Sequence, residues 1–190
     1  MPIANILTFG RLLLVPFFIY YFIIDYHFVA FILFVIAGFT DLVDGTIARF
    51  MNQTSAIGAF LDPLADKLLM LSTFACLVSV DVIPLAFFML LIVRDFIIMG
   101  GIAFLRFIEA DVAYKALWTS KFATLFQLLT AILAFIVLIW PSIYWFKWPV
   151  SFYMWGMILA TTALILTSGI QYMVIGLKIL KRKENSEKVL

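Results

Sequence analysis

DLVDGTIARFMNQTSAIGAFLDPLADK, residues 41–67, sets four aspartates and two basic residues into a chain that is otherwise close to continuous hydrocarbon. Long apolar runs lie on either side, and the polar break FMNQTSAIG at 50–58 is too short to do anything but fold the second run back on the first. Such a helical hairpin, repeated along a chain of this composition, is the unit of an α-helical membrane bundle.

Composition supports that unit throughout. The 190 residues are 66% hydrophobic and 13% charged with mean hydropathy +1.16, against roughly 45–50% apolar content in a soluble domain. A hydrocarbon core of about 30 Å needs about 20 helical residues. Six runs meet that length, at 6–24, 28–49, 59–80, 84–106, 117–140 and 150–177. The breaks between them, DYH (25–27), FMNQTSAIG (50–58), DVIP (81–84), FIEADVAYK (107–115) and PSIYWFKWP (141–149), are short, so consecutive spans should be antiparallel. The expected fold is all-α, a six-span bundle in a single domain over 1–190, without internal repeats and with a basic tail at 178–190.

Lys and Arg set the orientation, because cytoplasmic flanks carry the basic excess. With a cytoplasmic N-terminus, Arg11, Arg49, Lys67, Arg106, Lys115, Lys121, Lys178, Lys181, Arg182, Lys183 and Lys188 fall on the cytoplasmic side, Lys147 on the other, and Arg94 inside a span. Both termini are then expected in the cytoplasm. The opening MPIANILTFGR lacks the basic start and cleavage site of a secretory signal, so the first span should be retained. The net charge of +2 gives no footprint for nucleic acid. KILKRKENSEK (178–188) reads as an orientation signal that also meets anionic headgroups. The single Cys76 allows no intramolecular disulfide and suits packing as a small apolar residue. His27 suits an interfacial loop, Leu68, Leu69 and Met70 continue the third span, and Trp140, Trp145 and Trp148 around Lys147 read as an interfacial belt.

Within the quoted stretch, Asp41, Asp44, Gly45 and Ala48 stand at i, i+3, i+4 and i+7, one helix face at the end of the second span. Gly58, Asp62 and Asp66 stand at i, i+4 and i+8 at the start of the third. The hairpin should bring the four carboxylates into one small volume. An intramembrane aspartate costs about 2.5–3.5 kcal/mol on insertion scales, and like charges repel further, so a positive partner is required. Hard Mg²⁺ or Mn²⁺ takes such oxygen ligands while keeping positions open for phosphate. Two ions sharing the carboxylates would stabilise both the attacking and the leaving oxygen of a phosphoryl displacement. Gly45, Ala48 and Gly58 leave room beside the acids, and Arg49 can grip a diphosphate. Two other readings use the same acids: an ion network with Arg49, Lys67 and Arg94, or a cation or proton path, against which their clustering near one membrane face argues.

The stretch resembles the CDP-alcohol phosphatidyltransferase family. Its signature, D-x2-D-G-x2-A-R-x8-G-x3-D-x3-D, is met at all eight fixed positions by Asp41, Asp44, Gly45, Ala48, Arg49, Gly58, Asp62 and Asp66. NILTFGRLLLVP, with Asn5, Thr8, Arg11 and Pro16, is similar to the family's opening segment. The resemblance implies an enzyme that displaces CMP from a CDP-linked lipid and passes the phosphatidyl group to an acceptor alcohol, in the bacterial inner membrane or an equivalent organelle membrane. It implies two metal ions on Asp41, Asp44, Asp62 and Asp66, with Asp66 also the base, and CDP contacts from Asn5, Thr8, Gly45, Ala48, Arg49, Ser55 and Gly58. A homodimer is common in the family. VRDFIIMGGIAFLR (93–106) and TSKFATLFQ (119–127) resemble the fourth and fifth spans of phosphatidylglycerophosphate synthases and eukaryotic-type cardiolipin synthases. Arg94, Lys121 and Arg106 are the expected acceptor contacts, with Arg94 paired to Asp95 or to the aspartate cluster as the structural alternative. The expected substrates are CDP-diacylglycerol and glycerol 3-phosphate, with phosphatidylglycerol the runner-up acceptor. Ile102 stands where the glycerophosphate enzymes commonly carry a second arginine, and the spacing from Arg94 to Arg106 is closer to the cardiolipin synthase pattern. From a different class, a cation transporter or scaffold would need a polar path that the later spans lack.

Overall fold

The computed structural model describes residues 3–51, 56–108 and 118–187, with side chains at 10–40, 65–101, 104–105, 108 and 118–181. Among these residues the chain forms six helices and one two-residue β-hairpin: α1 (Ile3–Ile23), α2 (His27–Met51), α3 (Ala56–Ser79), α4 (Leu85–Phe107), α5 (Trp118–Ile139), β1 (Tyr144–Trp145), β2 (Trp148–Pro149) and α6 (Val150–Glu187). Eleven of the twelve helix ends lie within three residues of the apolar runs in the sequence. The exception is α6, which continues past 177 to Glu187, about 15 Å more of helix. Among the described residues two helical stretches, Trp118–Ile139 and Val150–Lys181, are long and apolar enough to cross a membrane, and Gly10–Ile23 and His27–Thr40 are shorter apolar stretches.

Two helix ends are closed by aspartate in the left-handed conformation, Asp25 at φ 62° and Asp81 at φ 57°. After α1 the Asp25 amide donates to Phe22 O at 3.2 Å and the Tyr26 amide to Tyr21 O at 3.0 Å. After α3 the Asp81 amide donates to Val78 O at 3.0 Å and the Val82 amide to Leu77 O at 3.1 Å. Both are Schellman caps, with aspartate where glycine usually stands. The break at 141–149 holds a feature the hydropathy pattern did not reveal. Trp145 pairs with Trp148 across a two-residue turn, in which Phe146 has φ 56°.

The chain divides into two compact units, Met1–Ile83 with Ala134–Ile143, and Pro84–Leu133 with Tyr144–Leu190. In the first, α1 packs on α2 and α3. The fully buried Phe135, near the end of α5, has the rings of Phe18, Phe22, Phe31 and Phe34 within 5.4–6.2 Å of its own. Arg11, Val15, Phe18 and Phe22, at i, i+4, i+7 and i+11, form the buried stripe of α1. In the second unit α4 packs on α6. Hydrogen bonds from Thr119 to Gln171 (2.6 Å) and between Thr130 and Thr161 (2.9 Å) set α5 and α6 antiparallel.

Candidate functional site

Asp41, Asp44, Gly45, Ala48 and Arg49 lie on α2, and Gly58, Asp62 and Asp66 on α3, so the motif occupies the end of one helix and the start of the next, as its spacing predicts. Of these, only Asp66 has a described side chain. Those of Asp41, Asp44, Gly45, Ala48, Arg49, Gly58 and Asp62, of Asn5 and Thr8 on α1, and of Arg106 on α4, lie outside the described residues, as does Ser55 altogether.

Asp66 is held by a residue to which the sequence reading gave only an orientation role. Nη1 of Arg11 donates to Oδ1 of Asp66 at 2.6 Å, with the Arg11 side chain 1% exposed and that of Asp66 43%. A guanidinium this deep in an apolar unit needs an anion, and a carboxylate reached by a charge-assisted hydrogen bond is the strongest partner available. The counter-charges considered from sequence were Arg49, Lys67 and Arg94. The signal for Arg11 was its place at 11 in the stripe 11, 15, 18, 22, where a charge is costly without a partner. Nothing in helical spacing could identify a partner 55 residues away.

In the second unit Arg94 is also buried, at 5%. Its Nη1 donates to Oδ1 of Asp95 at 2.8 Å and its Nη2 to Oγ of Ser120 on α5 at 2.7 Å. The Nε of Arg94 is buried and finds no hydrogen bond among the described residues. The guanidinium therefore ties α4 to the first turn of α5 and is paired with Asp95, the structural alternative weighed from sequence. Lys121 is exposed, with Nζ 5.1 Å from the ring centroid of Trp118, in reach of a cation–π contact. Among the described residues no three His, Cys, Asp or Glu side chains gather as a metal site.

His27 Nε2 lies 3.6 Å from Asp25 Oδ1, with the ring of Phe22 at 4.8 Å. That environment is the loop contact expected of an interfacial histidine. Trp140, Trp145 and Trp148 are all exposed, as an interfacial belt requires.

A cardiolipin synthase (CMP-forming) / mitochondrial hydrolase fusion protein of Schizosaccharomyces pombe is 45% identical over 105 residues, 55% of this chain and 18% of that protein. Cardiolipin synthase (CMP-forming) of Homo sapiens is 39% identical over 106 residues, 55% of this chain and 35% of the relative. The CDP-diacylglycerol–glycerol-3-phosphate 3-phosphatidyltransferase of Bacillus subtilis is 45% identical over 74 residues, 39% of this chain and 38% of the relative. The chain thus spans between 18% and 38% of the length of these relatives. The sequence profile described as CDP-alcohol phosphatidyltransferase matches residues 1–179, running through every helix and through the complete eight-residue motif. The chain therefore belongs to the CDP-alcohol phosphatidyltransferase family.

Proposed function

We propose that this chain transfers the phosphatidyl group of CDP-diacylglycerol to an acceptor alcohol and releases CMP. The observation that carries this reading is the complete motif on α2 and α3 within a family match covering 1–179. Asp66, at the motif's last position, takes the proton of the acceptor hydroxyl. The hydroxyl oxygen bonds to the phosphatidyl phosphorus, and the bond from that phosphorus to CMP breaks. Arg11 supports the role by fixing the direction of the Asp66 carboxylate through the 2.6 Å bond. Arg49, Asn5, Thr8 and Ser55 bind the CDP moiety, and Gly45, Ala48 and Gly58 keep space for it.

The donor set fits hard divalent cations. Asp66 keeps 43% of its side chain exposed, so its carboxylate is accessible as an oxygen donor. Asp41, Asp44, Asp62 and Asp66 would hold two Mg²⁺ or Mn²⁺ ions, whose chemistry is to offset the charge of the diphosphate and of departing CMP. The six helices cross the bilayer with both termini and the aspartates on the cytoplasmic face, which leaves the diacyl tails in lipid while the nucleotide head enters the site.

Glycerol 3-phosphate is the first acceptor reading, with Lys121, Arg106 and the remaining donor of Arg94 as its contacts. A second, phosphatidylglycerol, is favoured by one observation: Asp95 and Ser120 already engage Arg94. Purified protein in detergent, given CDP-diacylglycerol and Mg²⁺ with either acceptor, tests both. CMP release that requires one acceptor and stops with EDTA or in Asp66→Asn is the expected result. Folded protein that releases no CMP with either acceptor would turn the reading toward a transporter or scaffold.

A further inference from the structure

Phe146 and Lys147 turn the β1–β2 hairpin, and Phe146 takes φ 56° to do so. The first place of a two-residue hairpin turn that needs positive φ ordinarily holds glycine, because a bulky side chain is strained in that region. Phe146 gains nothing for this strain within the chain. It is 89% exposed, the most exposed large apolar side chain among the described residues, and its ring contacts no other described ring. Glycine would turn the hairpin with less strain, so whatever favours the phenyl ring lies outside the chain.

The hairpin's position names those surroundings. It lies between Ile139 and Val150, where one of the two described stretches able to cross a membrane ends and the other begins. It also rests against the first turn of α6: Tyr153 Oη donates to Trp145 O at 3.0 Å, and the Trp148 ring stacks on that of Phe152 at 5.0 Å. Phe152, Trp155 and Leu159, at i, i+3 and i+7, carry the exposed apolar surface from the hairpin along α6. With α6 as a membrane span, that surface faces lipid and the hairpin is its rim. Lys147, next to the ring, is exposed and has no ion pair among the described residues. The sequence holds no Asp or Glu between Asp111 and Glu184. An unpaired cation beside an apolar ring matches the boundary where lipid phosphates overlie hydrocarbon.

We propose that the β1–β2 hairpin is a preformed wedge in the lipid interface, with Phe146 in the acyl layer and Lys147 paired to a phospholipid phosphate. The proposal rests on the reading of α6 as a membrane span. A second copy of the chain fits this tip less well, since a two-fold pairing would bring two Lys147 side chains together with no acid near them in the sequence.

Spin-label accessibility tests the wedge, with the full chain in phosphatidylcholine vesicles and a Cys76→Ser background. A nitroxide on Phe146→Cys should collide more readily with oxygen, which concentrates in hydrocarbon, than with a water-soluble nickel chelate. A nitroxide on Leu159→Cys, further along α6, is the reference. Oxygen preference at 159 with nickel preference at 146 overturns the wedge and leaves the span standing; nickel preference at both overturns the span and the wedge together. Dipolar broadening between labels at 146 that vanishes on dilution with unlabelled protein would overturn the proposal by assigning the tip to a second copy. A label on Tyr144→Cys, also exposed, then reads the parts of the tip. Adding Phe146→Gly should lower the inserted population about tenfold, the scale of burying one phenyl ring, and shift this label toward the nickel chelate. Adding Lys147→Glu should shift it the same way, through repulsion from phosphate. An oxygen-to-nickel collision ratio unchanged by Phe146→Gly overturns the anchoring by the ring, and one unchanged by Lys147→Glu overturns the phosphate contact. Should Cys76→Ser fail to fold, Cys76→Ala supplies the background and the same outcomes decide.

Discussion

Asp66 has two roles that a substitution cannot separate without a stability measurement. Its carboxylate is the proposed base, and it is also an anionic partner of a guanidinium that is 1% exposed. Breaking a fully buried ion pair by removing one member costs about 3–5 kcal/mol. Water reaches the 43% exposed Asp66 side, so Asp66→Asn should cost less, about 1–2 kcal/mol. Denaturant titration of the purified variant checks this, and loss of CMP release in Asp66→Asn is to be read per folded molecule. Arg11→Lys keeps a cation but loses the planar fork that directs the bond. It should retain more turnover than Arg11→Met, with both variants showing a larger change in kcat than in KM for CDP-diacylglycerol; equal turnover in all three proteins would sink the positioning role. The contact between Thr130 and Thr161 is weaker than its burial suggests. Each hydroxyl also lies 2.7 Å from a carbonyl of its own helix, Phe126 O and Met157 O. Two hydroxyl protons must serve three contacts, so Thr130→Val should cost below about 1 kcal/mol, in the range of interhelical hydrogen bonds in membranes.

Helix ends were legible wherever hydrocarbon gives way to a polar or Pro-bearing break, because burial of an apolar run and the cost of an exposed backbone change at the same residue. The end of α6 was not, since a membrane sets the length of the apolar run but not the length of the helix. KRKENSE consists mostly of residues that continue a helix in water as well as in lipid. The caps at Asp25 and Asp81 were hidden for a related reason: aspartate is only one of several residues that tolerate positive φ, so its presence in DYH and DVIP did not name the motif. Glycine removes the Cβ penalty of that conformation. Asp81→Gly should therefore stabilise the α3 end by about 0.5–1 kcal/mol, read as a higher unfolding temperature. Phe135 lies at the opposite extreme, with four aromatic neighbours and no exposed surface. Phe135→Ala should cost about 3–5 kcal/mol, and Phe135→Leu clearly less, since leucine refills most of the volume.

For the whole molecule, the site was readable as a motif, not as a set of contacts. Spacing placed the eight signature residues on α2 and α3, yet it could not pair Arg11 with Asp66 or Arg94 with Ser120, because those contacts join segments distant in the chain. Topology follows from what spacing does provide. The proposed six spans, joined by short breaks, would return the chain to the face on which it began, with eleven of the thirteen Lys and Arg residues toward that face. The hairpin between β1 and β2, with Trp145, Trp148 and Lys147 exposed around its turn, would in that topology mark the opposite interface. In a Cys76→Ser background, a single cysteine at Lys147 and one at Ser186 should answer a membrane-impermeant maleimide oppositely. Intact cells should label the position-147 cysteine alone, and permeabilised cells both. Labelling of the position-186 cysteine alone in intact cells would invert the proposed topology and remove the aspartate pair of helices from the cytoplasmic face, where the proposed CDP-linked substrate enters.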